Sequence, residues 1–140
     1  MIYVDTSLLL AVYTPEARSE EANRILESDS SILVSDLTVA EFHVGLARKV
    51  KLRLLSPRQA EAAGASFETH LAEGLLHRTA LHSAHSEAAG QLAMKSTLML
   101  RSLDALHLAV AVGIGSDVRL ATFDTRMADA AREFGFEVLA

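Results

Sequence analysis

The sequence predicts an α/β domain in which a mainly parallel sheet lies between layers of helices, and three observations predict it. The chain contains short apolar runs without polar alternation, such as Met1–Val4 and Ser31–Val34, the pattern of strands buried on both faces. Between these runs lie longer segments with helical spacing, framed by capping residues and glycine stops. Strands that alternate with helices in this way build parallel sheets. Finally, 140 residues with 50% hydrophobic side chains suffice for one sizeable core, and no repeat, low-complexity tract or linker divides them. A single domain over residues 1–140 is expected.

The elements follow in order. Met1–Val4 is the first strand and runs straight into Asp5. Thr6 and Ser7 are suited to cap a short helix, Leu8–Tyr13. Thr14-Pro15-Glu16 then offers a cap, a proline at the first helical position and an early acid. This predicts a helix to about Ser28, with Ala22, Ile25 and Leu26 inward and Glu16, Glu20 and Glu21 in water. After the strand Ser31–Val34, Ser35 or Asp36 caps a helix over Leu37–Val50. Ser56-Pro57-Arg58-Gln59 has capping-box spacing and opens a helix to about Glu73, which Gly74 ends. Leu75–Leu81 is ambiguous, with a short third strand as one reading. Ser83–Lys95 is helical by composition, and Ser102 caps a helix from Leu103 to about Val112 that Gly113 and Gly115 terminate. Val118–Phe123 is a strand, Thr125–Phe134 a helix with Gly135 as a left-handed stop, and Phe136–Leu139 a last strand.

Composition removes several classes of function. There are no cysteines, so a disulfide scaffold and a thiolate zinc site are excluded. No basic region precedes an apolar stretch at the N-terminus, so no signal peptide is expected. The longest nearly apolar run, Ala105–Gly115, is too short to span a bilayer. A cytoplasmic protein without a membrane partner is therefore expected. The net charge of -5 and a pI near 5.6 argue mildly against a surface coated for nucleic acid. They leave room for a basic partner protein, and for a basic stripe beside an acidic cluster.

Four acids stand where a folded chain would not leave them uncompensated. Asp5 ends a strand buried on both faces, where open parallel sheets place their ligands. Asp124 follows the strand Val118–Phe123 in the same way. Asp104 lies in the first turn of a helix with apolar residues on every side, which predicts burial all round. No lysine or arginine follows it within the next turns. Glu41 has Leu37, Val44 and Gly45 as its helical neighbours. Each acid also has a plainer reading: Asp124 as an N-cap, Asp104 as a dipole partner, Asp5 as a cap for Thr6-Ser7, Glu41 as a partner of Arg48. Four carboxylates gathered in one pocket would repel, and a divalent ion would relieve them. Oxygen donors without cysteine favour Mg2+ or Mn2+ over zinc.

At these same residues the chain resembles the PIN-domain family, and within it the VapC-type toxins of toxin–antitoxin pairs. The resemblance is carried by Tyr3-Val4-Asp5-Thr6-Ser7, Leu37-Thr38-Val39-Ala40-Glu41-Phe42, Leu100–Ala109 and Leu120-Ala121-Thr122-Phe123-Asp124, and by the closing Ala130–Gly135. It implies a three-layer α/β/α sandwich around a mainly parallel sheet of about five strands. It also implies a Mg2+- or Mn2+-dependent endoribonuclease, with Asp5, Glu41, Asp104 and Asp124 as catalytic metal ligands. Ser7 and Thr122 match the family's hydroxyl positions beside the acids. A cognate antitoxin, whose tail enters the cleft, and a homodimer are the implied protein partners.

Other residues carry weaker signals. Arg48-Lys49-Val50-Lys51-Leu52-Arg53 is the one dense basic run, read first as a solvated helix end and second as an RNA phosphate contact. His107, one turn from Asp104, is read as a packed, hydrogen-bonded histidine with an orienting role second. His82 and His85 read as surface histidines, Met94 and Met99 as core filler, and Phe42 as core or dimer interface. Two rival functions remain. A phosphorylation-controlled binding module would need adjacent acids after the first strand and a lysine after a late one, and neither is present. A non-catalytic interaction module acting through an antitoxin complex would need no working metal site.

Overall fold

A computed structural model describes residues 1–140. The three residues of β1, Ile2–Val4, have no solvent exposure, as a central apolar strand covered on both faces must. Around it lie β2 (Ile32–Ser35), β3 (His77–Thr79), β4 (Arg119–Ala121) and β5 (Val138–Leu139). They form one sheet in the order β3-β2-β1-β4-β5, with every pairing parallel. The helices are α1 (Thr6–Tyr13), α2 (Ser19–Glu27), α3 (Asp36–Lys51), α4 (Pro57–Ala72), α5 (Ser83–Lys95), α6 (Ser102–Ile114) and α7 (Thr125–Glu133).

Because β1 alternates its side chains, it builds a core on each face. Ile2 and Val4 pack with Leu8, Phe42 and Phe67 in the layer of α1, α3 and α4. Tyr3 packs with Leu108, Leu120 and Met127 in the layer of α6 and α7. The three-layer α/β/α architecture and five-strand parallel sheet are thus as expected. Between β1 and β4 the strand order reverses, which opens a crevice at their carboxyl ends.

Local signals explain most boundaries. Ser35 and Ser56 each cap their helix by reciprocal bonds, with Thr38 and Gln59 as the third residues. Gly74 and Gly135 leave their helices at φ of 75° and 85°, the left-handed geometry a glycine adopts without strain. The ambiguous segment contains the strand β3, an exposed sheet edge.

Several boundaries differ from expectation. α1 begins at Thr6, not Leu8, because Asp5 takes the N-cap position. α2 begins at Ser19 and not at Pro15: Thr14 closes α1 instead, its amide and its hydroxyl both donating to the Leu10 carbonyl. Glu16 is not left to water alone, since Lys49 pairs with it at 2.6 Å. Ser102 is the first residue of α6 and Arg101 its N-cap, while Gly113 is carried inside the helix. α6 is buried on every side along its middle, His107–Ala111, while Leu103 and Val112 near its ends are about half exposed. Met94 and Met99 are exposed and fill no core, whereas Phe42 lies wholly within one. No helix is long and apolar enough to cross a membrane.

Candidate active site

The crevice holds the four acids because four helices start beside it. Asp5 is the N-cap residue of α1, Asp124 caps α7, Asp104 lies in the first turn of α6, and Glu41 follows the first turn of α3. Positive helix ends offset part of the negative charge. A cavity of about 360 Å³ is lined by all four, together with Ser7, Leu10, Arg101, Ser102, Leu103 and His107.

Asp5 is almost fully buried, and its amide continues the sheet by donating to the Ala121 carbonyl at 2.9 Å. Its side chain does not cap α1. Instead, Oδ2 accepts from the hydroxyls of Ser7 at 2.7 Å and Thr122 at 2.5 Å. Those hydroxyls are aimed by backbone amides: Phe123 donates to Ser7 at 2.9 Å, and Asp124 to Thr122 at 3.0 Å.

Glu41 follows the same plan. Its Oε2 accepts from Thr6 Oγ1 at 2.9 Å and meets His107 Nε2 at 2.7 Å. The plainer pairing with Arg48 is not made. Burial raises the Glu41 carboxyl, but the His107 contact outweighs it with help from Thr6, and the net shift is downward. At Asp124 the capping reading holds: Oδ1 accepts from the amides of Arg126 at 2.8 Å and Met127 at 3.2 Å. Capping and a place in the cavity are compatible here. Each of these three carboxylates keeps one oxygen occupied by protein donors and a second without a hydrogen bond.

Asp104 shows the strain of the gathering. Burial pushes its carboxyl above the usual range, the charges of Asp124 and Asp5 add to this, and Arg101 opposes them. No lysine or arginine forms an ion pair with any of the four acids; the basic ring nearest to them is His107, whose Nε2 lies 2.7 Å from Glu41 and 3.8 Å from Asp5. Ligand atoms of Asp5, Glu41 and His107 lie within 4.8 Å of one another, a spacing that a single ion can bridge. Asp104 and Asp124 line the cavity outside that tight group. The donor set therefore fits a hard divalent ion: rigidly held carboxylates, free oxygens and unrelieved repulsion.

The other candidates divide. Ser7 and Thr122 lie at Asp5, and His107 is a packed, fully bonded histidine against Glu41. Arg48, Lys49, Lys51 and Arg53 do not line the cavity, and Lys49 is engaged by Glu16. His85 folds back to accept from the amide of His82 at 3.0 Å, remote from the acids. Thr6, Tyr3 and Arg101 were missed as site residues. Thr6 directly follows Asp5 and Arg101 lies three residues before Asp104, and this nearness is the one signal that singles them out.

Comparison with known proteins agrees with this geometry. The PIN domain family model matches residues 2–133. Ribonuclease VapC46 of Mycobacterium tuberculosis is 33% identical over 140 residues, spanning 99% of this chain and 96% of the relative. Among solved structures, VapC20 of Mycobacterium tuberculosis, described as a sarcin-ricin loop cleaving toxin, superposes with a TM-score of 0.73 at 22% identity. That match covers 97% of this chain and 96% of the other. The DNA-bound VapBC of Salmonella typhimurium matches with a TM-score of 0.68 at 16% identity, over 98% and 95% of the two chains. A family match over nearly the whole chain, on the fold whose switch point gathers these acids, means that the protein belongs to the PIN-domain family.

Proposed function

We propose that this protein is the endoribonuclease toxin of a toxin–antitoxin pair and that it hydrolyses RNA phosphodiester bonds with Mg2+ or Mn2+. The observation that carries the reading is the pattern of half-engaged carboxylates around one cavity, with no lysine or arginine ion-paired to them. The identity to a ribonuclease across almost the full chain supports the reaction class.

In this reading Asp5 and Asp104 would hold the tighter ion, and Glu41 and Asp124 would act directly or through water. When bound, such an ion supplies an acidified water for attack and Lewis-acid polarisation of the phosphate. The protein's own part is orientation. Ser7 and Thr122 fix Asp5, Thr6 and His107 fix Glu41, and the α7 amides fix Asp124. Arg101, the cation of the cavity wall, is suited to a substrate phosphate. The carboxylates are ligands and not nucleophiles, so cleavage leaves a 5′-phosphate and a 3′-hydroxyl.

The protein partners follow from the same reading. Relatives of this fold are described as VapBC complexes, which supports a cognate antitoxin that occupies the cleft. A homodimer and a cytoplasmic site of action belong to the proposal. The test is RNA cleavage by purified protein with Mg2+ or Mn2+ and with chelator, for wild type and Asp5→Asn, together with growth on induction. Loss of cleavage and toxicity in the variant is expected. Equal toxicity of the two would favour the non-catalytic interaction module, and 2′,3′-cyclic phosphate ends would favour metal-free acid–base chemistry.

A further inference from the structure

We propose that His107 is a positioning residue held in one tautomer by Tyr3, and that this hold keeps imidazole nitrogen out of the metal centre and reserves the site for hard, oxygen-seeking ions. The inference rests on the reading of the cavity as a divalent-ion site. Asp5, Glu41 and His107 present ligand atoms close enough for one ion, and such a mixed nitrogen and oxygen set suits zinc and the later transition metals. Whether that set exists depends on whether His107 Nε2 carries a lone pair or a proton.

Hydrogen bonds decide it. His107 is 3% exposed, and both ring nitrogens have protein partners. Nε2 stands 2.7 Å from Glu41 Oε2, and an ionised carboxylate only accepts, so Nε2 is the donor. On the other side, Nδ1 lies 2.6 Å from the Tyr3 hydroxyl. A phenol that donates there makes Nδ1 the acceptor and leaves the imidazole proton on Nε2.

The chain behind Tyr3 supports that direction. The Ser35 hydroxyl lies 2.9 Å from the Tyr3 oxygen and itself accepts from the Thr38 amide at 3.2 Å. Thr38 Oγ1 accepts from the Ser35 amide at 3.2 Å and donates to the Val4 carbonyl at 3.5 Å. The Ser35 and Thr38 hydroxyls also lie 3.1 Å apart; with the Thr38 proton spent on Val4 or Ser35, the Ser35 proton goes to Tyr3 and the Tyr3 proton to His107. A tyrosine hydroxyl is protonated at neutral pH, so Tyr3 is available as a donor. No buried side-chain nitrogen or oxygen in the protein lacks a partner. Four residues on β1, β2, α3 and α6 hold one proton on the face of the imidazole that looks toward Glu41 and Asp5.

Removal of the Tyr3 hydroxyl takes away the donor opposite Nδ1 while keeping the ring that fills the core. The imidazole proton is then free to sit on Nδ1, which turns an Nε2 lone pair toward the two carboxylates. The full chain is titrated calorimetrically with Mn2+ alone and with Zn2+ alone, as wild type, Tyr3→Phe, His107→Gln and the double variant. Tyr3→Phe is expected to raise the ratio of Zn2+ to Mn2+ affinity by about tenfold or more, the scale on which outer-shell partners move metal affinity. The glutamine amide can still donate to Glu41 but offers no imidazole lone pair. His107→Gln alone therefore leaves the ratio unmoved, and in the double variant it cancels the gain.

A ratio that does not move in folded Tyr3→Phe overturns the proposal. So does a fall in Zn2+ affinity in His107→Gln alone, an arm that decides the matter even where Tyr3→Phe does not fold. Wild-type protein that takes up neither Mn2+ nor Mg2+ overturns the metal-centre reading itself, a result distinct from either of these.

Discussion

The Thr122 hydroxyl donates to Asp5 Oδ2 at 2.5 Å, a bond that ties together the ends of β1 and β4 where the strand order of the sheet reverses. Thr122 has no solvent exposure, so water cannot replace it. The bond does two things at once. It stabilises the seam between two parallel strands, and it leaves Asp5 Oδ1 as the oxygen that faces no donor hydroxyl.

Thr122→Val keeps the shape and removes the donor. A lost hydrogen bond to a charged, buried acceptor costs about 1.5–3 kcal/mol. Unfolding in urea should show that loss, and Mn2+ binding should weaken by about tenfold, as outer-shell changes do. Thr122→Ser restores the hydroxyl and should recover most of both. A valine variant with wild-type stability and affinity would mean that Ser7 alone suffices to hold Asp5.

Asp104 offers a trade between stability and activity. Its carboxyl is raised by burial and by the charges of Asp124 and Asp5. A carboxyl raised on folding binds its proton more tightly in the native state, so ionisation disfavours the fold. That cost is absent below the unfolded value, about 3.9 for an aspartate, and complete above the raised native value. Metal-free Asp104→Asn should therefore melt higher than wild type at neutral pH, and the two should converge in acid. Added Mn2+ should stabilise wild type more than the variant, while the variant loses RNA cleavage. Thermal melts with and without Mn2+ check both halves, and a variant less stable than wild type at neutral pH refutes the repulsion.

The acids were legible because their surroundings are apolar. Asp5 after Ile2-Tyr3-Val4, and Asp104 amid Leu103, Ala105 and Leu106, stand out from the many acids on solvated faces. The partners of Glu41 were not legible: Thr6 and His107 reach it from a different helix each, and no spacing within one element encodes that meeting. The same limit explains the misread start of α2. Thr14-Pro15-Glu16 has the chemistry of a helix opening, but Thr14 is already engaged in closing α1. Met94 and Met99 read as core because methionine fills gaps. α5, however, packs on α6 through small residues, Ala89 against Ala105 and Ala109, and its methionine stays outside.

Two sets of cations compete for contact with the RNA phosphates. The run Arg48–Arg53 is dense, yet it begins two turns beyond Glu41, about 10 Å along α3 at 1.5 Å per residue. α3 starts at the carboxyl end of β2 and carries the run away from the cavity. Arg101 lines the cavity, and Arg126 stands beside Asp104 in the adjoining depression. Each phosphate contact contributes about one unit to the dependence of log affinity on log salt. With RNA binding measured in Ca2+ to prevent turnover, Arg101→Ala should weaken affinity and lower that slope by about one. Combined replacement of Arg48, Lys51 and Arg53 by alanine should leave the slope as it is. The reverse pattern would move the RNA path off the cavity wall and onto the far end of α3, and would require the substrate to reach the acids across α1.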